Sequence, residues 1–211
     1  MSGERIYLYD TTLRDGAQTQ GVDFSVADKL WVARELDALG IDYVEGGWPG
    51  ANPTDDAFFA SPPELQHARL CAFGMTRRSG RSAANDPGLV TLFQARTAVI
   101  TLVGKSSARQ AEGALGVSRD ENLTMIADSV RESLRHADEV MLDAEHCFDG
   151  FKEDADYTLA CLQAAYEAGA RWIVLCDTNG GTMPHEVEAI VGRVARHIPG
   201  DRLGIHTHDD T

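Results

Sequence analysis

The chain lacks several features that would mark other classes of protein. No apolar run approaches the roughly 18 residues needed to cross a membrane. The opening segment MSGERIYLYD has neither the basic n-region nor the apolar h-region of a secretory signal. Membrane insertion and export are therefore not expected. Basic residues are scarce: 19 Lys and Arg against 33 Asp and Glu leave a net charge of −14. Tracking a phosphate backbone needs a cationic face, so nucleic acid is not an expected partner, whereas a local site for a metal cation or a small anion is compatible with this balance. The four cysteines, Cys71, Cys147, Cys161 and Cys176, stand far apart and form no C-x-x-C pair. They are expected to be reduced, mostly buried thiols of a cytoplasmic protein. Nucleotide signatures are missing too. No G-x-G-x-x-G follows the first apolar run, and Gly104-Lys105-Ser106 has Val99 where a Walker loop needs its first glycine.

What is present is a regular alternation. The 211 residues, 43% of them hydrophobic, suffice for one substantial core and favour a single domain. A helix should start at Ser25, where Asp28 completes a capping-box pattern, and Val26, Leu30, Ala33, Leu36 and Leu39 keep helical spacing up to Gly40. Short apolar strands are expected at 6–9, 41–44, 70–73, 98–103, 139–142, 172–176 and 203–205, the second breaking at Gly46-Gly47-Trp48-Pro49-Gly50. Further helical pieces fall at 55–60, 64–69, 89–95, 118–135 (a second capping box, Ser118 with Glu121), 155–168 and 184–197. Continuous apolar strands separated by amphipathic helices make a parallel sheet buried on both faces. Polar clusters recur at the C-terminal ends of nearly all the strands, where a (β/α)8 barrel carries its active site. The expected fold is therefore α/β, a (β/α)8 TIM barrel of which this chain supplies seven strands, without the eighth strand and the last helices. Two open edges would remain, so residues 1–211 are expected to be a C-terminally incomplete catalytic barrel from a longer protein.

Several residues are candidates for chemistry. His206 and His208, two apart on a strand, point to one side, and with a carboxylate such as Asp15 they would offer a mixed nitrogen and oxygen set for a divalent ion. Two histidines alone do not make a site, and on that spacing by itself a pair of exposed histidines at a strand end is the commoner case. Arg14 offers a rigid fork for a carboxylate or oxyanion, or a surface ion pair with Asp15. Asp143 and Glu145 share a face and suit substrate contact, outer support of a metal, or proton transfer. Asp177 to Gly181 reads as a plain Asn-Gly turn, in which the Thr178 hydroxyl is able to donate to an anion. The basic loop at 76–81 is either solvated or, with Lys105 and Arg109, attracts an anionic substrate.

With these residues assembled, the chain resembles the acyl-CoA condensing enzymes of the metal-dependent, pyruvate-carboxylase-like barrel superfamily: 2-isopropylmalate, homocitrate and citramalate synthases. TLRDGAQ at Thr12 to Gln18 and HTHDD at His206 to Asp210 carry the resemblance, and YLYDTTLRDG, DYVEGGWPGANP, LDAEHCFDGFK and VLCDTNGGTMPHEV draw it towards the citramalate synthases. It covers essentially the whole chain. It implies a barrel acyltransferase that condenses acetyl-CoA with a 2-oxo acid, pyruvate to citramalate, in branched-chain amino-acid (isoleucine or leucine) biosynthesis. The same reaction on a longer 2-oxo acid, giving isopropylmalate or homocitrate, is the near alternative, and a metal-dependent carbon–carbon lyase the farther one. Asp15, His206 and His208 are implied ligands of a divalent ion (Mg, Mn, Zn or Co). Arg14 would stabilise the developing alkoxide, Glu145 would take part in binding or proton transfer, and Gln18 and Thr178 would bind the 2-oxo acid, with Asp143 in the same pocket. A homodimer is implied for the full-length protein. Asp209 departs from the family, which usually has asparagine there. The family's further metal-site asparagine, lid and regulatory domain would lie beyond Thr211, so the 211 residues alone are expected to be inactive.

Overall fold

The computed structural model describes residues 5–208. Seven strands, β1 (Tyr9–Asp10), β2 (Tyr43–Gly47), β3 (Arg69–Met75), β4 (Val99–Lys105), β5 (Glu139–Glu145), β6 (Trp172–Asp177) and β7 (Leu203–Thr207), pair in chain order, each neighbour parallel to the last. The crossovers carry α1 (Val26–Ala38), α2 (Pro53–Ala60), α3 (Pro87–Gln94), α4 (Arg119–Ser133), α5 (Cys147–Glu153), α6 (Ala155–Glu167) and α7 (Pro184–Val194). The sheet is strongly curled. At about 4.8 Å per strand, a flat sheet would hold β1 and β6 about 24 Å apart. Instead the ring of Tyr7, just before β1, lies 5.2 Å from that of Trp172, and the Trp172 indole donates to the Tyr43 hydroxyl at 3.2 Å. This is the curled α/β half-barrel expected of a partial (β/α)8 barrel.

Alternation along the strands sorts side chains onto two faces. Val44, Ala72, Ile100, Leu102, Val140, Leu142, Ile173 and Leu175 face outwards and are buried with residues of the helices, including Phe58, Leu89, Leu92, Ile126 and Leu162. The inner face is closed at its N-terminal end by Tyr43, Cys71, Val99 and Met141, with Tyr9 and Trp172 packed against them. Towards the strand C-termini the inner side chains turn polar, with Glu45, Thr101 and Asp143 buried there. All four cysteines are free and buried. Among the described residues no helix is long and apolar enough to cross a membrane.

Local signals hold where the chemistry is local. Ser25 and Asp28 form the reciprocal capping box, and α1 ends before Gly40 at φ +82. Differences arise where a distant partner takes over. The first strand is only Tyr9–Asp10, with Ile6 and Leu8 exposed. β2 runs through Gly46 and Gly47 with a register shift against β3, and both positions need glycine because Phe58 lies where a Gly46 side chain would stand and Asp55 where a Gly47 side chain would. Residues 64–68 are not helical. The Asp37 carboxylate accepts from the amides of Gln66, His67 and Ala68 at 2.8, 2.7 and 2.6 Å, holding the segment extended into β3. At α4 only half of the second capping box forms: Ser118 accepts from Glu121 N, while the Glu121 carboxylate reaches Arg77. α5 was not foreseen, and it begins from His146 at φ +56 without a side-chain cap.

Candidate functional site

The loop after β1 is wound tightly. The Thr11 carbonyl accepts from the amides of Arg14, Asp15 and Gly16 at 3.1, 2.9 and 3.1 Å, and Leu13, 1% exposed, anchors the loop in the outer core. With Leu13 turned outwards, Arg14 and Asp15 both face the mouth of the curl. β7 reaches the same point from the other side of the sheet. Asp15 Oδ2 lies 3.3 Å from His206 Nε2 and 3.8 Å from His208 Nε2, and the two imidazoles stack with centroids 4.8 Å apart. Ligands about 2.0–2.2 Å from one ion stand roughly 3 Å from each other, so this arrangement needs little adjustment to share a cation. Two imidazole nitrogens and one carboxylate oxygen suit Mn, Zn or Co more closely than a purely oxygen set would. Sequence spacing suggested the two histidines as a pair, and the curl of the sheet brings Asp15 to them.

The hydrogen bond and charge of His206 hold the Asp15 carboxyl below its ordinary value, and the same bond raises His206. Arg14 is fixed on three sides. Its Nε donates to Glu45 Oε2 at 2.7 Å, its Nη1 lies 3.4 Å from Asp15 Oδ1, and its guanidinium sits 4.0 Å from the centre of the Phe73 ring. Phe73 in turn meets Trp48 edge-on at 5.4 Å. Burial works to lower the pKa of Arg14, but the Glu45 charge and hydrogen bond outweigh it and the value is raised.

Glu45 was not singled out from the sequence, where the Gly-rich stretch after it hid the strand. It is fully buried, accepts from the Tyr9 hydroxyl at 2.8 Å, and Tyr9 lies 2.7 Å from the Thr101 hydroxyl. Burial pushes its carboxyl up to about 7 against the pull of Arg14. The available signal was its place two residues after Tyr43 on the inner face, where a carboxylate in an apolar strand demands a partner.

The remaining candidates surround this centre. Asp143 is buried, and burial pushes it up to about 6, opposed by His206 and Arg14. Glu145 pairs with Lys105, its register partner on β4. Thr178 lies in the turn after β6, where its hydroxyl accepts from His146 N at 2.8 Å, and the expected turn closes with Gly180 N on Asp177 O at 3.0 Å. Gln18 is exposed at the end of the short Gly16–Gln18 turn, at the rim rather than inside. The basic loop does not form one anion-attracting patch. Arg77 is buried and bound to Glu121 and Asp128 at 2.8 and 3.0 Å, and Lys105 is held by Glu145. Asp209 and Asp210 lie outside the described residues.

The HMGL-like family model matches residues 5–211. The chain is 48% identical over 210 residues to the (R)-citramalate synthase of Aquifex aeolicus (strain VF5), covering 99% of this chain and 40% of that protein. It is 47% identical to the (R)-citramalate synthase of Streptomyces coelicolor, covering 99% and 39%. A 2-isopropylmalate synthase from Aeromonas salmonicida is 30% identical over 98% of this chain and 39% of that protein. The chain thus spans about two fifths of the length of the curated relatives it matches. In three dimensions it is similar to a hydroxymethylglutaryl-CoA lyase from Bacillus subtilis, with a TM-score of 0.79 at 17% identity over 98% of this chain and 70% of that one, which bears on the fold alone. The seven-stranded curl and the match over residues 5–211 agree: the chain belongs to the HMGL-like family.

Proposed function

We propose that the chain forms the barrel part of an acyltransferase that condenses acetyl-CoA with a 2-oxo acid, pyruvate giving citramalate, in the service of branched-chain amino-acid synthesis. The observation that carries this reading is the meeting of Asp15, His206 and His208 beside an Arg14 locked by Glu45 and Phe73. Identity of 44–48% to curated citramalate synthases, against 30% to the 2-isopropylmalate synthase, supports pyruvate over a longer 2-oxo acid.

Asp15, His206 and His208 would hold the divalent ion, which supplies Lewis-acid polarisation of the keto group. The other residues have roles derived from their own contacts. The Arg14 η nitrogens, with Nε already committed to Glu45, face the keto oxygen and meet the negative charge that forms there. The Thr178 hydroxyl accepts from His146 N and keeps its proton for the substrate carboxylate. Gln18 contributes an amide at the rim, and Asp143 borders the substrate pocket beside His206. Glu145, held by Lys105, takes part in substrate binding or proton transfer. In the reaction a base takes a methyl proton from the acetyl thioester, the new carbon–carbon bond forms at C2 of the 2-oxo acid, and the carbonyl π pair moves to oxygen, which then takes up a proton. Hydrolysis of the thioester then frees the CoA thiol.

Free thiol release from acetyl-CoA by the full-length protein, dependent on pyruvate and a divalent ion, is the test. Asp15→Asn and Arg14→Ala should abolish it. Cleavage of hydroxymethylglutaryl-CoA or 4-hydroxy-2-oxovalerate without any condensation would replace the synthase reading by a lyase.

A further inference from the structure

One inner-face residue has no part in the reading above. Cys176 is the last inward residue of β6, and the β6–β7 register pairs it directly with His206. Asp143 reaches the same spot from β5. The candidate ligand atoms of Asp143, Cys176 and His206 all lie within 4.8 Å of one another. Unlike the outer group of Asp15, His206 and His208, this one is walled in: Asp143 is 7% and Cys176 5% exposed. Its donor set also differs. Sulfur, imidazole nitrogen and a single carboxylate favour thiophilic ions such as Zn and Cd, whereas the outer group offers no sulfur.

We propose that Asp143, Cys176 and His206 form a second, inner cation position for thiophilic divalent ions, sharing His206 with the outer group. As the metal–sulfur bond forms, the Cys176 thiol releases its proton to solvent, so uptake is accompanied by proton release. The position is not a requirement of the proposed condensation. It gives the mouth of the curl a means of sorting ions, strongly thiophilic ones one step inward and those that bind without sulfur at the open outer group.

Cadmium is the probe, because a cadmium–thiolate bond absorbs in the ultraviolet and a cadmium–carboxylate or cadmium–imidazole bond does not. Titrating the protein with Cd²⁺ should raise this absorption to a one-equivalent end point. Cys176→Ser should remove it and weaken Cd²⁺ binding by at least about tenfold, a scale on which even outer-shell losses act. Cys147→Ser should leave it unchanged. Cd²⁺ binding without the absorption, or absorption that survives Cys176→Ser, overturns the proposal. If Cys176→Ser fails to fold by far-ultraviolet circular dichroism, Asp143→Asn decides. It should keep the thiolate absorption and lose affinity, and unchanged affinity counts against the site. Mn²⁺ binding followed by electron paramagnetic resonance separates the two positions. Cys176→Ser should retain it, and loss of Mn²⁺ binding in that variant overturns the separation into two positions.

Discussion

Replacing Glu45 with glutamine should make the fold firmer and the site poorer. Glu45 is fully buried, and its carboxyl is pushed from 4.5 up to about 7 by that burial. Between those values the folded chain binds a proton that the unfolded chain does not. The stabilisation is therefore complete below about pH 4.5 and lost as pH rises through about 7. A displacement of this size corresponds to about 3 kcal/mol. Glutamine keeps the shape and an oxygen for the Tyr9 hydroxyl but cannot ionise. At pH 8 Glu45→Gln should thus be as stable as the unsubstituted protein or up to about 3 kcal/mol more so. Between pH 5 and 8 its stability should change less. A remaining slope of the same sign is expected from Asp143, which burial pushes up to about 6. Denaturant midpoints for both proteins at the two pH values measure this, and thiol release measures the cost to Arg14, which loses its charged anchor. The refuting result is a loss of about 3–5 kcal/mol at pH 8, the signature of a buried guanidinium stranded without its partner. That would mean Glu45 is ionised well below pH 7 and that its pairing with Arg14 outweighs its burial.

Other outcomes follow from the same geometry. Asp15→Asn should weaken Mn²⁺ binding by a factor of at least about 10–100, read by calorimetry, and affinities within twofold would show that the carboxylate is not a ligand. Asp37→Ala leaves three amides without their acceptor, so a stability loss of about 2–4 kcal/mol is expected, with faster proteolysis around residues 62–68; an unchanged melting temperature would contradict it. Gly47→Ala puts a methyl 2.6 Å from the Asp55 carboxylate at a backbone φ of +143. It should cost about 2–3 kcal/mol in thermal denaturation, since Asp55 also holds Trp48 N at 2.8 Å and the buried Lys29.

The parts of the molecule that were legible in the sequence are those written in short-range chemistry. The capping box of Ser25 and Asp28, the glycine stop at Gly40 and the H-x-H spacing of His206 and His208 each need only a few neighbouring residues to be read. The hidden parts depend on partners dozens of positions away. Glu64 to Arg69 has helical spacing, yet Asp37 claims its amides. Arg77 reads as part of a basic loop, yet Glu121 and Asp128 close around it. Glu45 gives no local sign that Arg14 and Tyr9 will meet it. At the site the histidine pair was recoverable from residue type and spacing, whereas the approach of Asp15 to it and the shell that fixes Arg14 required the curl of the sheet and the register of three strands.

The division of the sheet into two faces sets how this protein tolerates change. Outward residues such as Ile100, Leu142 and Leu175 are buried in the outer core beneath the helices, away from the charged groups, so altering them should shift the melting temperature and little else. Inward residues on the same strands, Thr101, Asp143 and Cys176, stand among the charged groups, and altering them changes what the mouth of the curl binds. One strand therefore carries two separable records in alternate letters, and drift in one leaves the other readable.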